Sequence, residues 1–152
     1  MKLPLISYKF PSFTYLLHST ILNTFALTSL ITLIIVLLML ANLIMVGRAR
    51  EKYQIQAPSV TGDEGFERIY RVQMNTIESV LLFLPSMWIY AYYLGDKGAA
   101  CTGLIWVIGR ILYALAYQSN PSKRGVGFVI SMIAVFGAWL GGLYGVLHQL
   151  MQ

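Results

Sequence analysis

Charged and amide side chains recur at helical spacing in one stretch of the chain. At about 100° per residue, Arg68, Arg71, Asn75 and Glu78 fall within an arc of roughly 80°, while Gln73 points to nearly the opposite side. Guanidinium groups bind carboxylates through paired, charge-assisted hydrogen bonds. The stripe therefore indicates a site for an anionic ligand that makes several hydrogen bonds.

A second stripe follows further along the chain, where Arg110, Tyr113 and Tyr117 stand at positions i, i+3 and i+7. One alternative is that Arg110 and Glu78 form an ion pair that only holds two helices together. A second alternative makes the tyrosines membrane-interface residues, which favour this depth. Inserting a charged group at mid-bilayer costs about 2.5–3.5 kcal/mol of free energy. Because helix association requires only one pair or a few small polar residues, two aligned polar stripes favour a binding site over these alternatives.

The elements that carry these stripes are membrane spans. The chain has 152 residues, of which 57% are hydrophobic and only 11% charged. A domain of this size cannot bury so much apolar surface in water, whereas roughly 20 apolar residues span a bilayer. We expect one all-α integral membrane domain over residues 1–152, a four-helix bundle. Its predicted helices cover residues 20–46, 67–94, 99–117 and 126–150.

The segments around these spans are polar or contain helix-breaking residues. Residues 1–19 read as an interfacial or disordered arm, and residues 95–98 as a tight turn. Pro85 predicts a kink in the second span. On the fourth span, Gly137, Gly141, Gly142 and Gly145 predict close packing against another helix.

Basic residues predict the orientation of the chain in the membrane. Eight of them belong to the first and third loops and adjoining helix ends, against three on the opposite side. The eight are Arg48, Arg50, Lys52, Arg68, Arg71, Arg110, Lys123 and Arg124, and the three are Lys2, Lys9 and Lys97. Loops 47–66 and 118–125 are therefore expected to be cytoplasmic. No retrieval-type signal stands at residues 148–152, which favours a bacterial inner membrane over the endoplasmic reticulum.

Metal and disulfide chemistry find little support in the sequence. Cys101 is the single cysteine, so it cannot form a disulfide within the chain. His18 and His148 lie far apart, without the spacing of metal ligands. We predict no bound metal and no nucleic-acid partner, because the basic residues lie between apolar stretches instead of on one face.

The two polar stripes belong to longer runs that resemble a known family. The run Phe66–Glu78 looks like the second-helix signature of the MAPEG family, membrane-associated proteins in eicosanoid and glutathione metabolism. The run Gly109–Tyr117, followed by Pro121–Arg124, is similar to its third-helix signature. The Pro-Ser-Lys-Arg segment most resembles the third microsomal glutathione transferase type, in a bacterial member.

The resemblance implies a homotrimer that binds glutathione between neighbouring subunits. It assigns glutathione contacts on one subunit to Arg71, Asn75, Glu78, Tyr113 and Tyr117. It assigns further contacts from the adjacent subunit to Arg50 and Gln73. It makes Arg124 the catalytic arginine beside the glutathione sulfur, and Arg110 a supporting residue that pairs with Glu78.

These expectations add up to a glutathione transferase with glutathione as its co-substrate. Its partner substrates would be hydrophobic electrophiles or lipid hydroperoxides that arrive from the lipid bilayer, consistent with detoxification and possible peroxidase activity. Two alternatives remain open at this stage. The first alternative is a non-catalytic lipid-binding or scaffold member of the same fold. The second is a small transporter in which Glu78 lines the transport pathway.

Overall fold

The computed structural model describes residues 25–152, and these residues form four long helices joined by short connections. Helix α1 spans Ala26–Tyr53, α2 Glu64–Leu94, α3 Asp96–Ser119 and α4 Gly125–Leu150; the 3₁₀ turn Pro121–Arg124 precedes α4. All four helices have the length and apolar composition needed to cross a membrane. The predicted all-α membrane bundle is therefore confirmed. The predicted arm at residues 1–19 and the start of the first span lie outside the described residues.

Several predicted boundaries are wrong. Helix α1 runs through Gly47 to Tyr53, so Arg48 and Arg50 lie on a helix and only residues 54–63 form the loop. Gly47 does not end the helix, since a single glycine within a helix costs only about 0.5–1 kcal/mol. The expected turn at residues 95–98 shrinks to Gly95, whose φ of 105° favours glycine. Helix α2 is continuous through Pro85, and the predicted kink there stays a prediction.

Aspartate side chains cap the first turns of α1 and α2. The Asp63 carboxylate accepts hydrogen bonds from the backbone N–H groups of Gly65 at 2.7 Å and Phe66 at 3.3 Å, which starts α2. Asp96 serves the first turn of α1 in the same way, although it lies on α3. It accepts from the Leu27 and Thr28 N–H groups at 2.9 and 2.7 Å. This contact joins the two helices at one end of the bundle.

The core is apolar and combines side chains from all four helices. The Phe83 and Trp106 rings stack at 5.2 Å with an 8° angle between their planes, and the Trp106 indole donates a 3.0 Å hydrogen bond to Ser79. The outer surface carries many exposed aliphatic residues, as expected for a surface that contacts lipid.

Glycines allow α4 to approach two neighbouring helices. Gly141 faces Tyr90, and Gly145 faces Tyr93, so α4 packs on α2 as its small residues predict. Gly137, by contrast, faces open space. A second close contact joins α4 to α3, where a Cβ on Gly109 would lie 2.6 Å from the Ser131 backbone nitrogen.

Candidate functional site

The two predicted polar stripes line one cavity, except for Arg68, which pairs with Glu64 at 2.9 Å. This polar cavity has a volume of about 780 Å³, within the range of small-molecule sites. Helices α2, α3 and α4 and the 3₁₀ turn supply its walls. Its predicted members are Arg71, Asn75, Glu78, Arg110, Tyr113, Tyr117 and Arg124. Seven residues selected from periodicity and resemblance therefore come together in the folded chain.

A direct hydrogen bond links the two stripes. The Asn75 side-chain amide donates to the Tyr113 hydroxyl oxygen at 2.6 Å. Because Tyr113 is only 3% exposed, this bond orders a largely buried side chain. The Tyr113 hydroxyl hydrogen remains able to donate to a ligand in the polar cavity. The Tyr117 ring lies next to Tyr113, with ring centroids 5.5 Å apart.

The predicted ion pair between Arg110 and Glu78 is wrong. Arg110 is 2% exposed, and its Nη2 donates a 2.7 Å hydrogen bond to the Thr76 hydroxyl. Its guanidinium lies over the Tyr113 ring, 4.2 Å from the ring centroid. This cation–π contact stabilises the buried positive charge. Glu78 is exposed toward the polar cavity and forms no ion pair within residues 25–152. The carboxylate thereby stays available to a ligand.

Arg124 lies at the edge of the polar cavity on the 3₁₀ turn. Asn120 caps this turn by accepting a 3.0 Å hydrogen bond from the Ser122 N–H group. The Arg124 guanidinium lies 5.1 Å from the centroid of the Tyr117 ring, and the residue is exposed. A cation in this position is oriented by the aromatic ring, and within residues 25–152 no carboxylate neutralises it.

Two predicted site residues lie away from the polar cavity. Gln73 is on the opposite face of α2, as the helical spacing predicts, and lines an apolar cavity against α1. Arg50 donates to the Ser59 carbonyl oxygen at 2.9 Å and lies over the Phe66 ring at 5.0 Å. In a single subunit, Arg50 therefore holds the loop between α1 and α2. Contacts of both residues with glutathione in an adjacent subunit remain a prediction.

The apolar part of the polar cavity was missed by the sequence analysis. Phe128 and Met132 of α4 line it together with Leu82 of α2. The signal was available, because Phe128 and Met132 stand four and eight residues after Arg124 and share one helical face with it. The polar cavity therefore has a charged wall next to an apolar wall. Such a cavity can bind a charged reactant and a hydrophobic reactant side by side.

Comparison with known proteins gives consistent results. The MAPEG family pattern matches residues 28–144. An uncharacterized Synechocystis protein is 44% identical over 124 residues, covering 82% of this chain and 90% of that protein. Human microsomal glutathione S-transferase 2 is 34% identical, covering 72% of this chain and 74% of the relative. Guinea-pig (Cavia porcellus) leukotriene C4 synthase is 35% identical, covering 65% of this chain and 66% of the relative.

These relatives bear on the predicted branch as well as on the family. The microsomal transferase among them is of type 2, so the predicted similarity to the type 3 branch stays a prediction. The family pattern covers most of the chain, including all of α2 and α3, most of α1 and α4, and both polar stripes. This chain is therefore an integral membrane protein of the MAPEG family.

Proposed function

We propose that this protein is a membrane-bound glutathione transferase that joins the glutathione thiolate to hydrophobic electrophiles. The observation that carries the proposal is the polar cavity itself, where three arginines and one glutamate line one space within an otherwise apolar bundle. Relatives that bear the names glutathione S-transferase and leukotriene C4 synthase support the same class of reaction.

Charge complementarity supports glutathione as the ligand of this cavity. Arg71, Arg110 and Arg124 contribute three positive charges, and Glu78 contributes one negative charge. Glutathione in its thiolate form carries two carboxylates, a thiolate and one ammonium group, so ligand and site have opposite net charges of about the same size. Arginine binds the carboxylates bidentately, and Glu78 offers an acceptor to the ammonium group.

Arg124 is the residue we assign to thiolate formation. A free thiol has a pKa of about 8.5, and the thiolate is the nucleophile. A cation within a few ångströms lowers such a pKa by about 1–3 units, at about 1.4 kcal/mol per unit. Arg124 is exposed toward the polar cavity and has no carboxylate partner within the described residues, so its charge is available to the sulfur.

The proposed reaction then needs no metal. The thiolate sulfur attacks an electrophilic carbon, a C–S bond forms, and the leaving group departs with the bonding electron pair. With a lipid hydroperoxide, the thiolate attacks the terminal oxygen and the O–O bond breaks. The lipid alcohol forms after proton uptake, and a second glutathione converts the sulfenic acid to the disulfide and water. Leu82, Phe128 and Met132 offer the apolar surface for either partner.

We further propose that the protein works as a homotrimer in which a neighbouring subunit supplies Arg50 and Gln73 to each site. The position of both residues outside their own subunit's polar cavity supports this division. Residues 47–66 and 118–125 are proposed to face the cytoplasm, because the basic residues concentrate in these segments and in the helix ends next to them. The Synechocystis relative supports a bacterial membrane as the location.

The test compares Arg124→Ala with the control Lys123→Ala, because Lys123 is an exposed neighbour that does not line the polar cavity. If Arg124 lowers the thiol pKa, its removal leaves about 3% of the bound glutathione as thiolate at pH 7. We expect turnover with a generic electrophile to fall by about tenfold or more.

Ultraviolet absorbance of the thiolate and conjugate formation in detergent-purified protein provide the measurements. The control should behave like the unchanged protein. Full thiolate formation and turnover by Arg124→Ala would show that the assigned role is wrong. Tight glutathione binding without turnover in the unchanged protein would instead identify a non-catalytic member of the family.

A further inference from the structure

Ser79 lines the polar cavity at the point where its charged wall meets its apolar wall. On α2 it stands directly after Glu78 and three residues before Leu82, which belong to the charged and the apolar wall respectively. It lies one helical turn, about 6 Å, beyond Asn75 along the helix. The transferase function proposed above gives Ser79 no role, although its hydroxyl lies where a charged and a hydrophobic reactant would meet.

Trp106 holds the Ser79 oxygen in place. The Trp106 indole donates a 3.0 Å hydrogen bond to the Ser79 hydroxyl oxygen. Trp106 is fully buried and stacks on Phe83, so the donor itself has little freedom to move. Because an indole N–H can only donate, this bond occupies an acceptor position of the hydroxyl and leaves the hydroxyl hydrogen free.

The Ser79 hydrogen finds no acceptor in the part of the chain that the structure describes. The hydroxyls on either side of it along α2 donate to a carbonyl of that helix, Thr76 to Val72 at 2.7 Å and Ser86 to Leu82 at 2.8 Å. Ser79 makes no such bond within the described helix, and its recorded hydrogen bond is the one from Trp106. Since Ser79 lines the polar cavity, its hydrogen is available to a molecule that binds there.

A hydroxyl donor at this place suits an electrophile that carries an oxygen on its reacting group. When a thiolate adds to an enone, a C–S bond forms at the β-carbon and the alkene electron pair moves onto the carbonyl oxygen. A proton from water then converts the enolate to the ketone. A fixed donor aimed at this developing oxyanion lowers the barrier. An alkyl iodide has no such oxygen, since its iodide leaves with the bonding electron pair.

We propose that the Ser79 hydroxyl donates a hydrogen bond to the oxygen of the second substrate as that oxygen becomes negatively charged. The enzyme therefore favours enones and epoxides over alkyl halides of similar size. Ser79 determines this specificity, and Trp106 is the positioning residue that orients it. The proposal rests on the transferase function proposed above and adds the chemical class of its hydrophobic substrate.

The test compares non-3-en-2-one with 1-iodononane, which have the same number of carbon atoms, in the glutathione reaction of the purified full chain. The measured quantity is the ratio of kcat/KM for the enone to kcat/KM for the iodide, after subtraction of the uncatalysed rates. This ratio does not depend on the fraction of enzyme that is folded. Ser79→Ala should lower the ratio by at least about tenfold, because one donor to the oxyanion is lost.

Two controls bracket this result. Ser86→Ala should leave the ratio unchanged, because Ser86 donates to its own helix and does not line the polar cavity. Ser79→Thr should keep most of the ratio, because it retains a hydroxyl.

A further pair of variants covers a failure of Ser79→Ala to fold, since that change leaves the buried Trp106 N–H without an acceptor. Trp106→Phe combined with Ser79→Ala removes both partners of the hydrogen bond, so no buried polar group is left unpaired. Trp106→Phe alone keeps the hydroxyl but not its orientation. The single change should therefore lower the ratio less than the double change does.

Two results would overturn the proposal while the enzyme remains active. The first is a ratio that Ser79→Ala leaves unchanged. The second is an equal loss with both substrates together with weaker glutathione binding in calorimetry, since the hydroxyl would then contact glutathione instead of the second substrate. Absence of turnover with either substrate in the unchanged protein is a different outcome, because it refutes the proposed transferase function and this inference with it.

Discussion

Gly127 provides a sharp test of how the bundle positions its polar cavity. It lies in the first turn of α4, against the backbone of α3. A Cβ at this position would lie 2.6 Å from the Tyr113 Cα and 2.8 Å from the Gly109 carbonyl oxygen. Backbone atoms cannot rotate away as side chains do, so Gly127→Ala forces α3 and α4 apart.

The expected cost follows from two opposing effects. Overpacking of a tight contact costs about 1–3 kcal/mol, and backbone neighbours place this site toward the upper end. Alanine in place of glycine within a helix returns about 0.5–1 kcal/mol. We therefore expect Gly127→Ala to lower the free energy of unfolding by about 1–2 kcal/mol. Because Tyr113 lines the polar cavity, glutathione should also bind about tenfold more weakly.

Gly137→Ala is the matched control on the same helix. Among the described residues, no atom lies within 4 Å of a Cβ built on Gly137, so this change should only add helix propensity and stabilise the protein by about 0.5–1 kcal/mol. Denaturant unfolding in detergent and glutathione calorimetry measure both variants. If Gly127→Ala proves as stable as Gly137→Ala and binds glutathione normally, the close contact between α3 and α4 does not position the cavity.

Two further substitutions test contacts that join distant parts of the chain. Tyr113→Phe removes the acceptor of the 2.6 Å hydrogen bond from Asn75, so glutathione affinity should fall about fivefold; unchanged affinity by calorimetry would argue against a role for this hydroxyl. Asp96→Ala removes the cap on the first turn of α1 and should lower the unfolding free energy by about 0.5–2 kcal/mol. The exposed neighbour Lys97→Ala should have no such effect in the same unfolding experiment.

Much of the architecture follows from the sequence because the bilayer limits what an apolar chain can do. Four stretches of sufficient length and hydropathy predict four spans, since backbone groups inside lipid must be paired within a helix. The regular rotation per residue likewise separates Gln73 from Arg71 before any tertiary contact is known, and the structure places them at different cavities.

Helix ends were harder to predict from the sequence. Gly47 and the arginines after it look like the start of a loop, yet α1 continues to Tyr53, because one glycine within a helix costs only about 0.5–1 kcal/mol. The start of α1 at Ala26 involves Asp96, which is nearly seventy residues away in sequence. A local sequence pattern cannot predict where a helix begins when the capping side chain comes from another helix.

The partner of Arg110 depended on tertiary structure alone. Periodicity places Arg110 on one stripe and both Thr76 and Glu78 on α2, and an opposite charge is the simpler expectation. The relative rotation and offset of α2 and α3 instead direct the guanidinium to Thr76 and the Tyr113 ring. Spacing within one helix determines which residues share a face, whereas packing between helices determines which residues of two faces meet.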